Sequence, residues 1–113
     1  MQLMTKKIEA EMPALGSQRF KKDPVCRVKF FTRDSNWTWY GIEYDPELFY
    51  FRGYGNHIQP TETYSKAREL RDLHYFSLED LDEVRGPEGK PVERDITFKP
   101  VALSEIKKAP IPA

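Results

Sequence analysis

Apolar and polar residues alternate along much of the chain, a pattern typical of β-strands. Turn-forming residues at 33–36 separate the first two alternating runs, so an antiparallel hairpin is the simplest connection between them. In the last run we expect Ile96 and Phe98 to point inward. Gly41 and Gly53 interrupt other runs and predict bulges or close approach of two backbones. The predicted strands are residues 25–32, 37–44, 48–54, 73–76 and 93–98.

The two ends of the chain carry short helical patterns. Apolar residues at helical spacing predict a helix over residues 3–12, with Thr5 as a candidate N-cap. Pro13 ends this helix, because the residue before a proline disfavours the α conformation. A turn of helix is predicted at residues 103–107, and we expect residues 109–113 to form a frayed, extended tail.

Residues 77–85 give the clearest helical signal. Ser77 is followed three residues later by Asp80, which resembles a capping box with a shortened acid. Leu81 lies in the expected buried stripe of this helix. Gly86 stands where a helix of this length would stop, so we expect it to end the helix.

Together these elements predict a single α+β domain over residues 1–113. A mainly antiparallel sheet of four or five strands follows an N-terminal helix, and the helix at 77–85 packs on one face. The other face is expected to be partly exposed or held for a partner. The chain is 39% hydrophobic and 13% aromatic, which is enough for one core at this length.

Charge and cysteine content narrow the class of protein. Eighteen basic and eighteen acidic residues leave no net charge, so no long-range field attracts polyanions. The one cysteine, Cys26, cannot form an internal disulfide, which suits a reducing compartment. Charged residues break up the N-terminus, and no apolar run approaches the ~18 residues of a membrane span. We therefore expect a cytoplasmic protein with no membrane partner.

The hairpin carries the run DSNWTWY at 34–40, the most specific part of a similarity that spans roughly residues 3–106. Through these residues the sequence resembles the family numbered 2958 among the domains of unknown function. Residues 55–70 are longer than the usual connection of that family. Further similar segments are KDP at 22–24, VKFFT at 28–32, YFSL at 75–78, LDEVRG at 81–86 and ERD at 93–95.

That resemblance implies a small bacterial protein and no assigned catalytic residues. Such proteins are often encoded on plasmids, integrated conjugative elements or phage-related islands, near single-strand-binding and antirestriction genes. It thus implies an accessory role, with interference in host defence as one form.

The aromatic hairpin offers a candidate site for single-stranded nucleic acid. Aromatic side chains can stack on bases while basic side chains meet phosphates. The alternative is that the aromatics form the core of the sheet, and we favour it because interior aromatics are the usual case. The aromatics in question are Phe30, Phe31, Trp37 and Trp39, and the basic residues are Arg27, Lys29 and Arg33.

Other polar groups give weaker signals. Asp34, Ser35 and Asn36 occupy the hairpin tip, where small polar residues commonly stabilise the turn itself. The soft ligands His57, His74 and Cys26 lack the paired spacing of a zinc site, so no metal and no cofactor are expected. Four acidic residues near strand ends could supply a carboxylate pair for hydrolysis, although nothing in the sequence brings two together: Glu43, Asp45, Glu93 and Asp95.

The segment 55–71 mixes charges and aromatics and is either a protein contact or a solvated loop, with a possible turn of helix at 65–70.

Our first hypothesis is a non-enzymatic accessory protein of a mobile element that acts by binding another protein of unknown identity. A single-stranded nucleic-acid binder and a hydrolase-like enzyme are the alternatives, and no small-molecule substrate is indicated. The candidate partner-binding residues are Arg27, Lys29, Phe31, Arg33, Asp34, Asn36, Tyr64, Arg68 and Arg71.

Overall fold

A five-stranded antiparallel sheet organises the computed structural model, which describes residues 2–57 and 73–108. Its strand order is β5-β4-β3-β2-β6, and a separate two-stranded sheet pairs β1 with β7. The strands are β1 Val25–Cys26, β2 Val28–Thr32, β3 Thr38–Asp45, β4 Tyr50–Gly55, β5 His74–Ser77, β6 Val92–Arg94 and β7 Val101–Ala102. The helices are α1 Lys6–Glu11, α2 Leu78–Glu83 and α3 Leu103–Lys108. The predicted α+β class, with a mainly antiparallel sheet and an N-terminal helix, is confirmed.

The strand predicted over residues 25–32 is divided at Arg27. The N–H of Arg27 donates to the carbonyl of Gly41 at 2.8 Å, outside the ladder of either strand. Before this break β1 pairs with β7, and after it β2 pairs with β3 in the predicted hairpin. The break therefore lets one extended segment contribute to two sheets.

A β-bulge at Ile42 shifts the register between β3 and β4. Gly41 lies opposite Gly53, whereas Glu43 lies opposite Arg52, so Ile42 is the additional residue on β3. A Cβ at Gly53 would overlap the carbonyl of Tyr40 on the neighbouring strand. The predicted bulge and close backbone approach are both present here.

Two apolar clusters cover the two faces of the sheet. Because neighbouring strand residues point to opposite faces, Trp39 joins one cluster and Tyr40 the other. The front-face cluster includes buried side chains of β2–β6, with Ile8 of α1 and Leu81 of α2 packed on it. The back-face cluster is smaller, and Leu103 of α3 belongs to it. The face that the sequence left partly open therefore carries a core of its own.

Both predicted N-caps are confirmed. The hydroxyl of Thr5 accepts a hydrogen bond from the N–H of Ile8 at 3.2 Å. The hydroxyl of Ser77 accepts one from the N–H of Asp80 at 2.9 Å. Each bond satisfies a backbone donor that the first turn of a helix leaves free.

The prediction that Gly86 ends the second helix is wrong. The helix α2 ends at Glu83, and Val84 caps it in an extended conformation. Gly86 instead donates its N–H to the carbonyl of Lys90 at 2.8 Å, next to the carboxylate of Asp34. That carboxylate fills the space of a side chain, which explains the need for glycine here.

The prediction that Ile96 points inward is also wrong. β6 ends at Arg94, and Ile96 is 76% exposed. A turn begins immediately, because the carboxylate of Asp95 accepts hydrogen bonds from the N–H and the hydroxyl of Thr97. The same turn brings Phe98 against the back-face cluster, where it is half-buried as expected.

Candidate functional site

Asp34, at the tip of the β2–β3 hairpin, is bound by the backbone of a distant loop. Its Oδ2 accepts hydrogen bonds from the N–H groups of Glu88 and Lys90 at 2.8 and 3.1 Å. Partial desolvation acts to raise the pKa of Asp34, but the hydrogen bonds from Lys90 and Glu88 outweigh it and hold that pKa below its ordinary value. The carboxylate therefore anchors the loop at 86–90.

Lys29, Phe31 and Arg33 form a half-exposed strip at the β2 end of the hairpin, and both cations have acidic partners. The Nζ of Lys29 lies 3.8 Å from a carboxylate oxygen of Asp95. The Nε of Arg33 lies 2.6 Å from Glu93, and its guanidinium lies 5.8 Å from the centre of the Phe31 ring. Much of the positive charge on this strip is thus already neutralised.

In the described part of the chain, no hydrogen bond or ion pair links Arg27 or Asn36 to the residues of that strip. Arg27 lies in the break between β1 and β2, where its Nε is buried and has no hydrogen-bond partner among the described residues. The carbonyl of Asn36 accepts hydrogen bonds from the Thr38 hydroxyl at 3.2 Å and from the Asn56 amide at 2.8 Å. The remaining candidates lie outside the described residues: Tyr64, Arg68 and Arg71.

Half of the proposed stacking platform is interior. Phe30 and Trp39 lie opposite each other on β2 and β3, with exposures of 0% and 2%. Trp37 is half-buried and stacks on the ring of His57 with centroids 3.7 Å apart. The indole N–H of Trp39 donates to the carbonyl of His57 at 2.9 Å. These two tryptophans are therefore engaged within the fold.

The acidic residues singled out in the sequence are held by separate partners. Glu43 accepts from Arg52, and Asp45 accepts from the N–H groups of its own turn. Glu93 and Asp95 pair with the two cations of the strip described above. Within residues 2–57 and 73–108, no group of three or more His, Cys, Asp or Glu side chains is arranged to hold a metal ion.

Cys26 is fully buried in the back-face cluster. Desolvation by burial, with a smaller contribution from the charge of Asp23, raises the pKa of its thiol to about 12. The thiol is therefore protonated at neutral pH and behaves as a small apolar side chain.

An acidic groove between α1 and α2 is the principal feature that the sequence did not predict. It encloses about 490 Å³ and lies on the front face. Leu3, Met4 and Leu78 contribute apolar walls. We call this cavity the α1–α2 groove, and its remaining lining residues are Gln2, Glu9, Tyr44, Phe49, Glu79 and Asp82.

Every charged residue in the described lining of the groove is acidic. Glu9 comes from α1, and Glu79 and Asp82, three positions apart on α2, also line the cavity. In the described part of the chain none of these three carboxylates forms an ion pair. No lysine or arginine of residues 2–57 and 73–108 lines the groove. The cavity therefore presents uncompensated negative charge beside apolar walls.

Tyr44 is the most buried lining residue, with 2% exposure. Its hydroxyl is buried and has no hydrogen-bond partner within residues 2–57 and 73–108. Burial, followed by the charges of Glu9 and Asp45, raises the pKa of Tyr44 to about 12. The phenol is therefore neutral at physiological pH and retains unused hydrogen-bonding capacity.

Phe49 stands at the rim of the groove in a strained backbone conformation. Its φ is 58°, in the left-handed region that large side chains rarely adopt. The strain is fixed by neighbours, because the N–H of Phe49 donates to Asp45 and its carbonyl accepts from Leu78, both at 2.8 Å. Its ring is 51% exposed, and the adjacent Leu48 is 61% exposed. Two apolar side chains are thus presented to solvent beside the acidic lining.

Sequence patterns missed this site for identifiable reasons. The strand predicted from residue 48 begins only at Tyr50, so Leu48 and Phe49 were expected to alternate within a sheet. Glu9 and Glu79 are 70 positions apart, and only the tertiary fold brings α1 and α2 to one cavity. The one local indication was the acidic first turn of α2.

The fold and the groove define a small α+β protein with an antiparallel sheet covered on both faces. A family model described as "Protein of unknown function (DUF2958)" matches residues 67–109 of the chain. This match supports the suspected family and covers part of the second half of the chain, outside the hairpin. No curated protein and no solved structure matches the chain. Among the described residues, none of the helices has the length and apolar character needed to cross a bilayer.

Proposed function

We propose that the chain acts by binding another protein and that the α1–α2 groove is its contact surface. The observation that carries this proposal is that carboxylates with no ion-pair partner among the described residues line one cavity together with the exposed Phe49, which the exposed Leu48 directly precedes. The occupant that fits is a segment of another protein that carries basic and apolar side chains together.

Charge complementarity supports this choice of occupant. Glu9, Glu79 and Asp82 attract cationic side chains and repel anionic ones, which favours encounter with a basic segment. Apolar contact with Leu48 and Phe49 would remove their surface from water, at about 25 cal/mol for each Å² buried. Electrostatics would thus select the segment, and apolar burial would hold it.

The backbone strain at Phe49 is a second support. Holding a large residue in the left-handed region costs about 1–2 kcal/mol, and Asn or Gly would avoid most of this cost. An exposed aromatic ring retained there at such a cost is well explained by a contact made outside the folded chain.

The family resemblance gives the proposal its wider setting. A cytoplasmic accessory protein of a plasmid, conjugative element or phage would act on a host or element-encoded partner. Interference with host defence is one form of that role. The protonated, buried Cys26 is consistent with a reducing compartment.

Two observations weigh against the nucleic-acid alternative. Lys29 and Arg33 already have carboxylate partners, and Phe30 and Trp39 are core residues. The α1–α2 groove would repel a phosphate backbone. For the enzyme alternative, the raised pKa of Tyr44 makes this phenol a poor base or nucleophile at neutral pH.

The proposal is tested by site-specific photocrosslinking in bacterial cells that express the chain. A benzophenone amino acid replaces Leu48, the exposed neighbour of the lining residue Phe49, and in a control chain it replaces Phe20, which is 91% exposed and has no lining residue beside it in the sequence. We expect a discrete protein adduct from position 48 only, insensitive to nuclease. The crosslinked segment should contain lysine or arginine.

A charge-matched pair of variants completes the test. Neutralising Glu79 and Asp82 to Gln and Asn should abolish the adduct. The same change at Asp80 and Glu83, which are exposed on α2 but do not line the groove, should leave it intact. Equal adducts from positions 48 and 20, or an adduct unaffected by the first pair, would contradict the proposal.

A further inference from the structure

We propose that the α1–α2 groove is a receptor for a single alkyl cation, the end of a lysine or arginine side chain, which donates a hydrogen bond to the hydroxyl of Tyr44. This inference rests on the proposed function and specifies what the partner inserts. The juxtaposition behind it is a buried phenol oxygen, without a partner among residues 2–57 and 73–108, in a cavity that three carboxylates also line.

The hydroxyl of Tyr44, which has no hydrogen-bond partner among the described residues, has room for a donor. Buried polar groups in folded proteins nearly always have a partner, and one left without a partner costs stability. The carboxylates of the lining could accept from this hydroxyl, but none lies within hydrogen-bond distance of it, and in ionised form none can donate to its oxygen. A donor brought by a ligand would satisfy the oxygen of Tyr44.

The surrounding charges determine the sign of that ligand. The carboxylate of Glu9 lies near enough to Tyr44 to disfavour a negative phenolate, so the same field favours a positive group beside the hydroxyl. Glu79 and Asp82 add negative charge from α2. Both ammonium and guanidinium groups carry several N–H donors and no acceptor, which matches these carboxylates.

The apolar walls determine the rest of the ligand. Leu3 and Met4 are 7% and 5% exposed and line the cavity together with Leu78. Lysine and arginine side chains bury their methylene stems along apolar surfaces while the charged ends remain solvated or paired. A stem along these walls with a charged end at Tyr44 uses both parts of the lining.

The test is a titration of the full chain with small-molecule probes, in which NMR chemical shifts of the backbone amides report binding. The probes are n-butylammonium and n-butylguanidinium, with n-butanol and n-butyrate as size-matched neutral and anionic controls. We expect saturable shifts at the amides of Glu9, Tyr44 and Glu79 with at least one cation, and no saturation with the controls. The two cations distinguish a lysine receptor from an arginine receptor.

Tyr44→Phe removes the hydroxyl and keeps the ring. Because a hydrogen bond from a charged donor would be lost, we expect cation binding to weaken by about tenfold. Glu83→Gln, on the solvent side of α2, is the control and should leave binding unchanged. An unchanged chemical-shift pattern and unfolding midpoint in Tyr44→Phe would show that the fold is preserved.

The outcomes separate this inference from the proposed function. Saturation by n-butanol at the same concentrations, or cation binding that is unaffected in Tyr44→Phe, would overturn the receptor assignment. If the adduct from position 48 persists in that case, protein binding stands without the receptor. If the cations bind as expected but no adduct forms, the receptor stands and the protein-binding proposal fails.

Discussion

Glu43 and Arg52 lie directly opposite each other on β3 and β4 and form a buried ion pair. The Oε2 of Glu43 lies 3.2 Å from the Nη1 of Arg52, and the side chains are 0% and 4% exposed. Glu43 also accepts hydrogen bonds from the N–H groups of Gly16 and Gln18 at 2.7 and 2.6 Å. This one carboxylate thus ties the loop after α1 to the centre of the sheet.

Replacing Glu43 with Ala should destabilise the fold by about 3–5 kcal/mol, because Arg52 would keep a buried charge without this acid. Two backbone N–H groups would lose their acceptor as well. Urea unfolding followed by tryptophan fluorescence measures the change. Glu47→Ala, in an exposed turn, should change stability by less than about 0.5 kcal/mol. Similar losses in the two variants would contradict the role assigned to Glu43.

Asp34 should make the protein sensitive to acid. Its pKa is lowered in the folded state from an ordinary value of 3.8, so the unfolded chain takes up a proton first as the pH falls. The stabilisation is present above the unfolded pKa and is lost as the pH falls through the folded pKa. Asp34→Asn should therefore reduce the loss of stability in the pH range below the ordinary pKa of 3.8. Unfolding midpoints of the unsubstituted chain and of Asp34→Asn are measured across this pH range. Equal dependence of the two midpoints on pH would contradict the prediction.

Gly86 and Asp34 should be energetically coupled. Gly86→Ala places a methyl group in the space of the Asp34 carboxylate and should destabilise the fold. Removing that carboxylate with Asp34→Ala makes room, so the double variant should lose less stability than the sum of the single ones. Gly89→Ala is the control, since nothing lies within 4 Å of its Cβ position and its cost comes from a φ of 84°. Strict additivity of Asp34→Ala with Gly86→Ala would show that the overlap is relieved elsewhere.

Phe49→Asn should separate stability from binding. Asn tolerates the left-handed conformation at φ 58°. The free energy of unfolding should therefore stay the same or rise by up to about 1 kcal/mol. Loss of the exposed ring should nevertheless weaken the adduct formed from position 48. A large fall in the unfolding temperature would instead identify Phe49 as a packing residue.

The cap at Ser77 should contribute about 1 kcal/mol to stability, as is usual for such bonds. Ser77→Ala removes the acceptor for the N–H of Asp80 and should loosen the first turn of α2. Because Glu79 lies in that turn and lines the groove, cation binding should weaken together with stability. Thr5→Ala, the equivalent change at α1, provides a comparison in the same unfolding assay.

Local patterns predicted the hairpin, the two capped helices and the burial of Phe30 and Trp39, because each depends on neighbours in the sequence. They failed at Ile96 because alternation does not reveal the local turn of Asp95, which ends the strand before Ile96. They failed at Gly86 because a distant group, the carboxylate of Asp34, decides the outcome. The α1–α2 groove could not be predicted for the same reason, since its walls come from separate segments.

The pairing of strands determines which parts of the chain are able to fold alone. The segment 67–109 by which the family model recognises the chain contains β5, β6 and β7. These strands pair with β4, β2 and β1 respectively, and in the described residues none of the three pairs with another. Even α3 depends on the first half, because the carboxylate of Asp23 accepts from the N–H and hydroxyl of Ser104. A polypeptide of the recognised segment alone would carry one strand of each of three described pairs and neither strand of the β2–β3 and β3–β4 pairs, so the boundary of the family signature is not a boundary at which to divide the protein.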